Sequence, residues 1–154
     1  MSGHLIQPRT SRKGRNVETT KERSGFMLSK YTPVATLATA DLPAARNFYE
    51  DTLGLTLDQE GLGGVYYRCG DGAIFVYESQ YAGTNKATAV SFDVPTTEFQ
   101  AEVDSLREKG VDLMTFEMEG MEWNNGVASM GESMRAVWFT DPDGNILNIS
   151  AGAM

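Results

Sequence analysis

Histidine and cysteine are scarce in this sequence, and each shortage excludes a class of site. The 154 residues contain one histidine, His4, and one cysteine, Cys69. No intramolecular disulfide can form, which fits a reducing, cytoplasmic setting. A nucleophilic Cys69 or a serine triad would need a histidine base. The only histidine, His4, precedes the part of the chain whose pattern predicts a folded domain. We therefore expect a structural thiol and no histidine-dependent catalysis.

Long apolar runs are also missing. No stretch approaches the roughly 18 residues of a membrane span, and the N-terminus lacks the apolar core of a signal peptide. Hydrophobic residues make up 41% of the chain and charged residues 22%, which is typical of a globular protein with one sizeable core. We expect a cytoplasmic protein with no membrane partner.

Charge divides the chain into two parts. Residues 1–26 hold six basic and two acidic residues, and because the whole chain carries −8, residues 27–154 carry −12. The first part is polar and nearly free of aromatic residues, so we expect a disordered basic N-terminal extension, or a start site placed too early, before a single domain over 27–154. A domain of −12 would repel phosphate, which argues against a nucleic-acid partner.

From residue 31 onward, hydrophobic periodicity predicts the same order of elements twice. The glycines that end the two predicted helices, Gly54 and Gly110, mark the repeat. The chain thus predicts an α+β fold of two βαβββ modules, at about residues 31–79 and 87–151. The first module is predicted to have strands at 34–40, 55–60, 63–70 and 73–79 and a helix at 41–54. The second is predicted to have strands at 87–94, 111–118, 134–141 and 146–150, a helix at 95–110 and a loop at 119–133.

Two segments resemble the vicinal oxygen chelate superfamily, which includes glyoxalase I, extradiol dioxygenases and the bleomycin-resistance type of drug-binding protein. They are ATADLPAARNFYEDTLGL (38–55) and MRAVWFTDPDGNILNI (134–149), with weaker support from residues 90–111. The resemblance implies that the paired modules form a curved sheet around a cleft. It also implies a homodimer, whose swapped or side-by-side arrangement stays open.

In metal-dependent members of that superfamily, four strand positions hold the ion with histidine, glutamate or glutamine. The resemblance places those positions at Val34, Val76, Ala89 and Asn148. Aliphatic side chains donate nothing to a metal, and a neutral amide is a poor ligand beside a carboxylate or an imidazole. We therefore expect no metal and no other cofactor, and no metal-dependent glyoxalase or dioxygenase activity.

Ligand-binding candidates come from strand alternation together with the resemblance. Only one of the neighbours Tyr66 and Tyr67 should reach the cleft, because they point to opposite faces of a strand. Trp123, in the predicted loop, either stacks on a ligand or fills the loop's own small core. The complete set of candidates is Val34, Thr36, Tyr66, Tyr67, Val76, Glu78, Trp123, Arg135, Trp138 and Asn148.

Three hypotheses for the function remain open. The first is a metal-free protein of the bleomycin-resistance type that binds or sequesters a small aromatic or cationic molecule between aromatic residues and an acidic rim. The alternative is a metal-independent lyase or isomerase that uses Glu78 or Glu132 as a general base in apolar surroundings. The third is a retained fold with an interaction or regulatory role and a cleft filled by side chains.

Overall fold

A computed structural model gives the fold, and it describes residues 28–61 and 63–152. The extension expected at residues 1–26 lies outside the described residues. The chain divides into two units, residues 1–32 and 33–154. In the first unit, Leu28–Lys30 form a single 3-10 turn. The second unit contains both modules.

The first module is a four-stranded sheet with one helix. Asp41 begins the helix, because its side chain accepts a hydrogen bond from the Ala44 N–H at 3.1 Å. The helix then widens, and the Leu53 N–H donates to the Phe48 carbonyl five residues earlier, at 2.9 Å. The sheet order is β1-β4-β3-β2, with β1 and β4 parallel and the other pairs antiparallel. The elements are β1 (Val34–Thr39), α1 (Leu42–Arg46) with its wide extension (Asn47–Thr52), β2 (Thr56–Gly61), β3 (Gly64–Cys69) and β4 (Gly72–Glu78).

The second module repeats this plan with one strand more. Its helix buries Phe99, Val103 and Leu106, the stripe that periodicity predicts. The sheet order is β5-β9-β8-β7-β6, and β5 runs parallel to β9. The elements are β5 (Thr88–Asp93), α2 (Phe99–Glu108), β6 (Glu122–Asn124), β7 (Val127–Met130), β8 (Met134–Thr140) and β9 (Ile146–Ala151).

Residues 111–133 differ from the sequence prediction. The prediction of a strand at 111–118 is wrong, because this segment makes only one isolated β-bridge, between Met114 and Trp138. The predicted loop instead contains the hairpin of β6 and β7. Its turn is Asn125-Gly126, with φ of 49° and 79°, and Asn-Gly is the pair that a two-residue hairpin turn favours. Strand β7 therefore takes the place in the module that was assigned to 111–118.

The helix-covered faces of both sheets contribute to one hydrophobic core. Its largest fully buried side chains are Tyr49, Tyr67, Phe99 and Phe139. No helix of the described residues packs on the other face of either sheet, and we call these faces the first open face and the second open face. Alternation places Thr36, Tyr66, Phe75 and Tyr77 on the first, and Ser91, Trp138, Asn148 and Ser150 on the second.

The DPDGN turn (141–145) joins the second module to the first. The Tyr49 hydroxyl donates to Asp141 Oδ2 at 2.7 Å, inside the core. Asn145 Nδ2 donates to the Ala38 carbonyl at 3.0 Å, and the Ala40 N–H donates to Asp143 Oδ1 at 2.8 Å. This turn is therefore a contact between modules as well as the entry to β9. No helix among the described residues is long and apolar enough to cross a membrane.

Candidate functional site

The residues predicted to bind a ligand do not gather in one place. Two lie in the core, three lie on the first open face, three lie on or beside the second open face, and the other two lie elsewhere. In the same order, these are Val76 and Tyr67; Val34, Thr36 and Tyr66; Trp123, Trp138 and Asn148; and Glu78 and Arg135.

The assignment of Val76 and Tyr67 to the cleft is wrong. Val76 pairs with Leu37 of β1, and both side chains pack into the core beneath the helix. The family position on β4 was placed one residue out of phase, which moves a side chain to the opposite face of a strand. Tyr67 is fully buried, and its hydroxyl donates to Glu50 Oε1 at 3.1 Å. Burial raises the pKa of this phenol.

Arg135, Glu78 and Glu132 also lie away from any shared site. The Arg135 guanidinium stands 4.8 Å from the ring centroid of Phe99, on the helix side of the second sheet. Glu78 ends β4, Glu132 lies in the turn before β8, and both are exposed to solvent. Neither carboxylate has the apolar surroundings that a general base at neutral pH would need.

The first open face carries a ladder of aromatic rings. Tyr66 and Phe75 stack with centroids 4.3 Å apart, and Phe75 and Tyr77 stack at 5.6 Å with an interplanar angle of 5°. Gly64 makes room for this arrangement, because a Cβ there would stand 2.7 Å from the Phe75 ring. The three rings are half-buried and form one continuous surface.

The second open face carries the other aromatic cluster. Phe116 meets Trp138 edge to face at 4.9 Å and Trp123 edge to face at 5.2 Å, and the two indoles lie 6.0 Å apart. All three rings keep part of their surface in solvent. Trp123 thus packs on Phe116 and Trp138, and part of its surface stays accessible. A shallow depression of about 350 Å³ borders the cluster, lined by Phe116, Glu117, Met118, Glu119, Met121 and Trp123.

Acidic residues dominate the segment that carries this cluster, while Arg107 of α2 donates to the Asn125 carbonyl in the turn after Trp123. Residues 110–134 include five acidic residues and no lysine or arginine. Glu117, Glu119 and Glu122 come from the segment that carries Phe116 and Trp123, and their side chains are exposed. Carboxylates beside accessible indole faces produce a negative potential that attracts cations.

Asn148 lies in the middle of β9, on the second open face. Its residue is 5% exposed, and its cross-strand partner is Trp138. The amide Nδ2 donates to the Val137 carbonyl at 3.1 Å. Asn148 is therefore a fixed polar group directly beside an indole of the cluster.

A larger groove, of about 810 Å³, lies where β1 and β5 run next to each other. Val34 and Ala89 line it, with much of β5. Its one lining cation, Arg68, is paired with Asp58 at 2.7 Å. Burial raises the pKa of the Cys69 thiol at its edge, which disfavours the reactive thiolate.

Residues 32–149 match the family model described as Glyoxalase/Bleomycin resistance protein/Dioxygenase superfamily. The chain belongs to this superfamily. No curated protein matches the chain.

Solved structures share the superfamily fold at low sequence identity. Lactoylglutathione lyase from Agrobacterium tumefaciens is 19% identical with a TM-score of 0.58, over 79% of this chain and 93% of that one. The fosfomycin resistance protein FosX from Listeria monocytogenes is 16% identical with a TM-score of 0.62, over 80% and 94%. A superfamily member from Alicyclobacillus acidocaldarius is 12% identical with a TM-score of 0.62, over 80% and 92%. At these identities the likeness concerns the fold.

The superfamily includes metal-dependent enzymes, so the donor atoms at its four metal positions matter. Three of the positions that the sequence resemblance assigns to the metal hold Val34, Ala89 and Asn148, and on β4 the open-face neighbours of Val76 are Phe75 and Tyr77. Among residues 28–61 and 63–152 no three His, Cys, Asp or Glu side chains come together in a way that could hold a metal. This donor set does not fit a divalent transition metal.

Proposed function

We propose that this chain binds a flat, positively charged organic molecule on its second open face, without using a metal. The observation that carries the proposal is the coincidence of three accessible aromatic rings, Phe116, Trp123 and Trp138, with the exposed carboxylates of Glu117, Glu119 and Glu122 on the segment that carries two of them. Sequestration of this kind needs no catalytic side chain.

Two physical effects favour such a ligand. A planar cation gains area and quadrupole attraction when it lies on an indole face, about 0.5 to 2 kcal/mol for the cation–π part. The exposed carboxylates raise the local concentration of cations and speed their association. The two effects act together at this cluster and not in the larger groove, whose described lining is mainly aliphatic with one paired arginine.

Tryptophan emission provides a direct test, because Trp123 and Trp138 are the two tryptophans of the chain. An aromatic cation that does not itself absorb near 295 nm should change the emission saturably. A neutral probe with the same ring should bind more weakly, and raising the salt from 0.05 to about 0.5 M should weaken the cation's binding. Absence of saturable change for any cation in a broad panel would reject the proposal.

Variants locate the site. Trp123→Leu should weaken binding of the cation about tenfold in calorimetry, since it removes one face of the cluster. Tyr81→Leu is the matched control, because Tyr81 is 68% exposed and lies between β4 and β5, outside the three-ring cluster. Equal effects of the two substitutions would place the ligand elsewhere.

We also propose that two copies pair through the first open face. The Tyr66–Phe75–Tyr77 ladder is a continuous half-exposed aromatic surface, and Val34, 40% exposed, lies on the same face. Apolar surface of this kind on a sheet favours association. Light scattering should give twice the 16.8 kDa of the chain, and Tyr66→Lys should reduce that mass. A wild-type mass of one chain at tens of micromolar would contradict the pairing.

A further inference from the structure

Asn148 offers one unfilled hydrogen-bond acceptor on the second open face. Its Nδ2 donates to the Val137 carbonyl. A carbonyl oxygen can only accept, so this contact fixes which end of the amide carries nitrogen. The acceptor, Oδ1, must therefore be at the other end of the amide.

Oδ1 has no hydrogen-bond partner among the described residues. Within that part of the chain, no fully buried side-chain nitrogen or oxygen lacks a partner. The oxygen consequently keeps a small contact with solvent, although the residue as a whole is 95% buried. A nearly buried acceptor without a protein donor is costly unless something else donates to it.

The neighbours of Asn148 restrict what that donor can be. Trp138 stands directly across from it on β8, and Ser91 stands across from it on β5. A ligand that lies against the Trp138 indole would therefore be adjacent to Asn148. A neutral carbonyl acceptor attracts an N–H of a cation more strongly than that of a neutral amide.

We propose that Asn148 Oδ1 selects ligands whose positive charge carries an N–H: a protonated amine, amidine or guanidine attached to an aromatic ring. A quaternary ammonium has the same charge and can lie on the same indole, but it has no proton to donate to Oδ1. This inference rests on the proposed function and adds the class of cation to it.

The test compares two probes with one ring and one charge, 2-naphthylmethylammonium and its N,N,N-trimethyl analogue. Calorimetry measures both dissociation constants for the wild type, Asn148→Leu and Asn148→Asp. The useful quantity is the ratio of the two constants, because it cancels changes that affect both probes alike. Asn148→Leu removes the acceptor and keeps the branched shape of the side chain, and Asn148→Asp keeps an acceptor at the same position.

Asn148→Leu should shift the ratio about tenfold towards the quaternary probe, as expected for loss of one hydrogen bond to a charged donor. Asn148→Asp should increase the preference for the primary ammonium, because a carboxylate accepts an N–H more strongly than an amide carbonyl does, and it decides the question if the leucine variant does not fold. A ratio unchanged by both substitutions overturns the inference while leaving the aromatic cation site intact. Failure of both probes to bind the wild type contradicts the proposed function itself.

Discussion

The hydroxyl of Tyr49 should contribute measurably to the stability of the fold, because it links the first helix to the DPDGN turn of the other module. Asp141 is 4% exposed, and its two oxygens accept from four donors: the Tyr49 hydroxyl, the Asp143 N–H, the Asn145 N–H and Asn145 Nδ2. Tyr49→Phe removes one donor and leaves the shape of the side chain nearly unchanged, so no cavity term arises.

The expected cost follows from that contact. A hydrogen bond to a charged group contributes about 1.5 to 3 kcal/mol, and Asp141 would lose one of four. For a domain of this size each kcal/mol lowers Tm by about 2 to 4 °C, which gives a fall of about 3 to 12 °C.

Urea unfolding followed by circular dichroism measures the change in the free energy of unfolding. Tyr81→Phe is the control, since Tyr81 is largely exposed and its substitution should stay within about 0.5 kcal/mol of the wild type. A cycle with Asp141→Asn should show coupling between the two positions. A cost for Tyr49→Phe no larger than that of the control would refute the role given to this contact.

Three further predictions concern titration and metal binding. Burial raises the pKa of Tyr49 and Tyr67 above the ordinary 10.0. The two phenols should therefore leave the free energy of unfolding unchanged below about pH 10, and above that pH each should lower it by about 1.4 kcal/mol per pH unit. Urea unfolding between pH 8 and 11 measures this dependence, and a flat profile would contradict it. Burial also raises the pKa of Cys69, so iodoacetamide should alkylate the native thiol more slowly at pH 8 than the unfolded thiol, with a midpoint at higher pH; equal rates would contradict this. Asn148→Glu alone should not create a tight divalent-metal site, because Val34 and Ala89 supply no ligand. Calorimetry with Zn²⁺, Ni²⁺ and Mn²⁺ tests this. Tight binding would show that the four metal positions taken from the resemblance are misaligned.

Most of the fold could be predicted from local patterns. The α+β fold of two modules, the capping of α1 by Asp41 and the stripe of α2 depend on neighbouring residues, and these expectations are confirmed, although the second module has one strand more than βαβββ. The hairpin of β6 and β7 was missed although its signal was present, because Asn125-Gly126 was assigned to a polar loop. An Asn-Gly pair between short alternating segments should have indicated the turn.

The site was harder to predict, because it depends on strand phase and on contacts between distant segments. A shift of one residue placed Val76 in the cleft, whereas Phe75 and Tyr77 lie on the open face. The contact of Phe116 with Trp138 joins residues far apart in the sequence, and no local pattern gives it. Asn148 was predicted to face the cleft, but its hydrogen bond to the Val137 carbonyl required coordinates.

The most direct test of the cation site is a two-dimensional NMR titration of the metal-free protein with 2-naphthylmethylammonium. The two tryptophans give two indole N–H resonances, and they report on the second open face alone. We predict that both indole signals and the Asn148 side-chain amide shift saturably and together, while the amides of the groove at β1 and β5 stay in place. Shifts confined to that groove or to the first open face, with both indole signals unmoved, would contradict the proposed site.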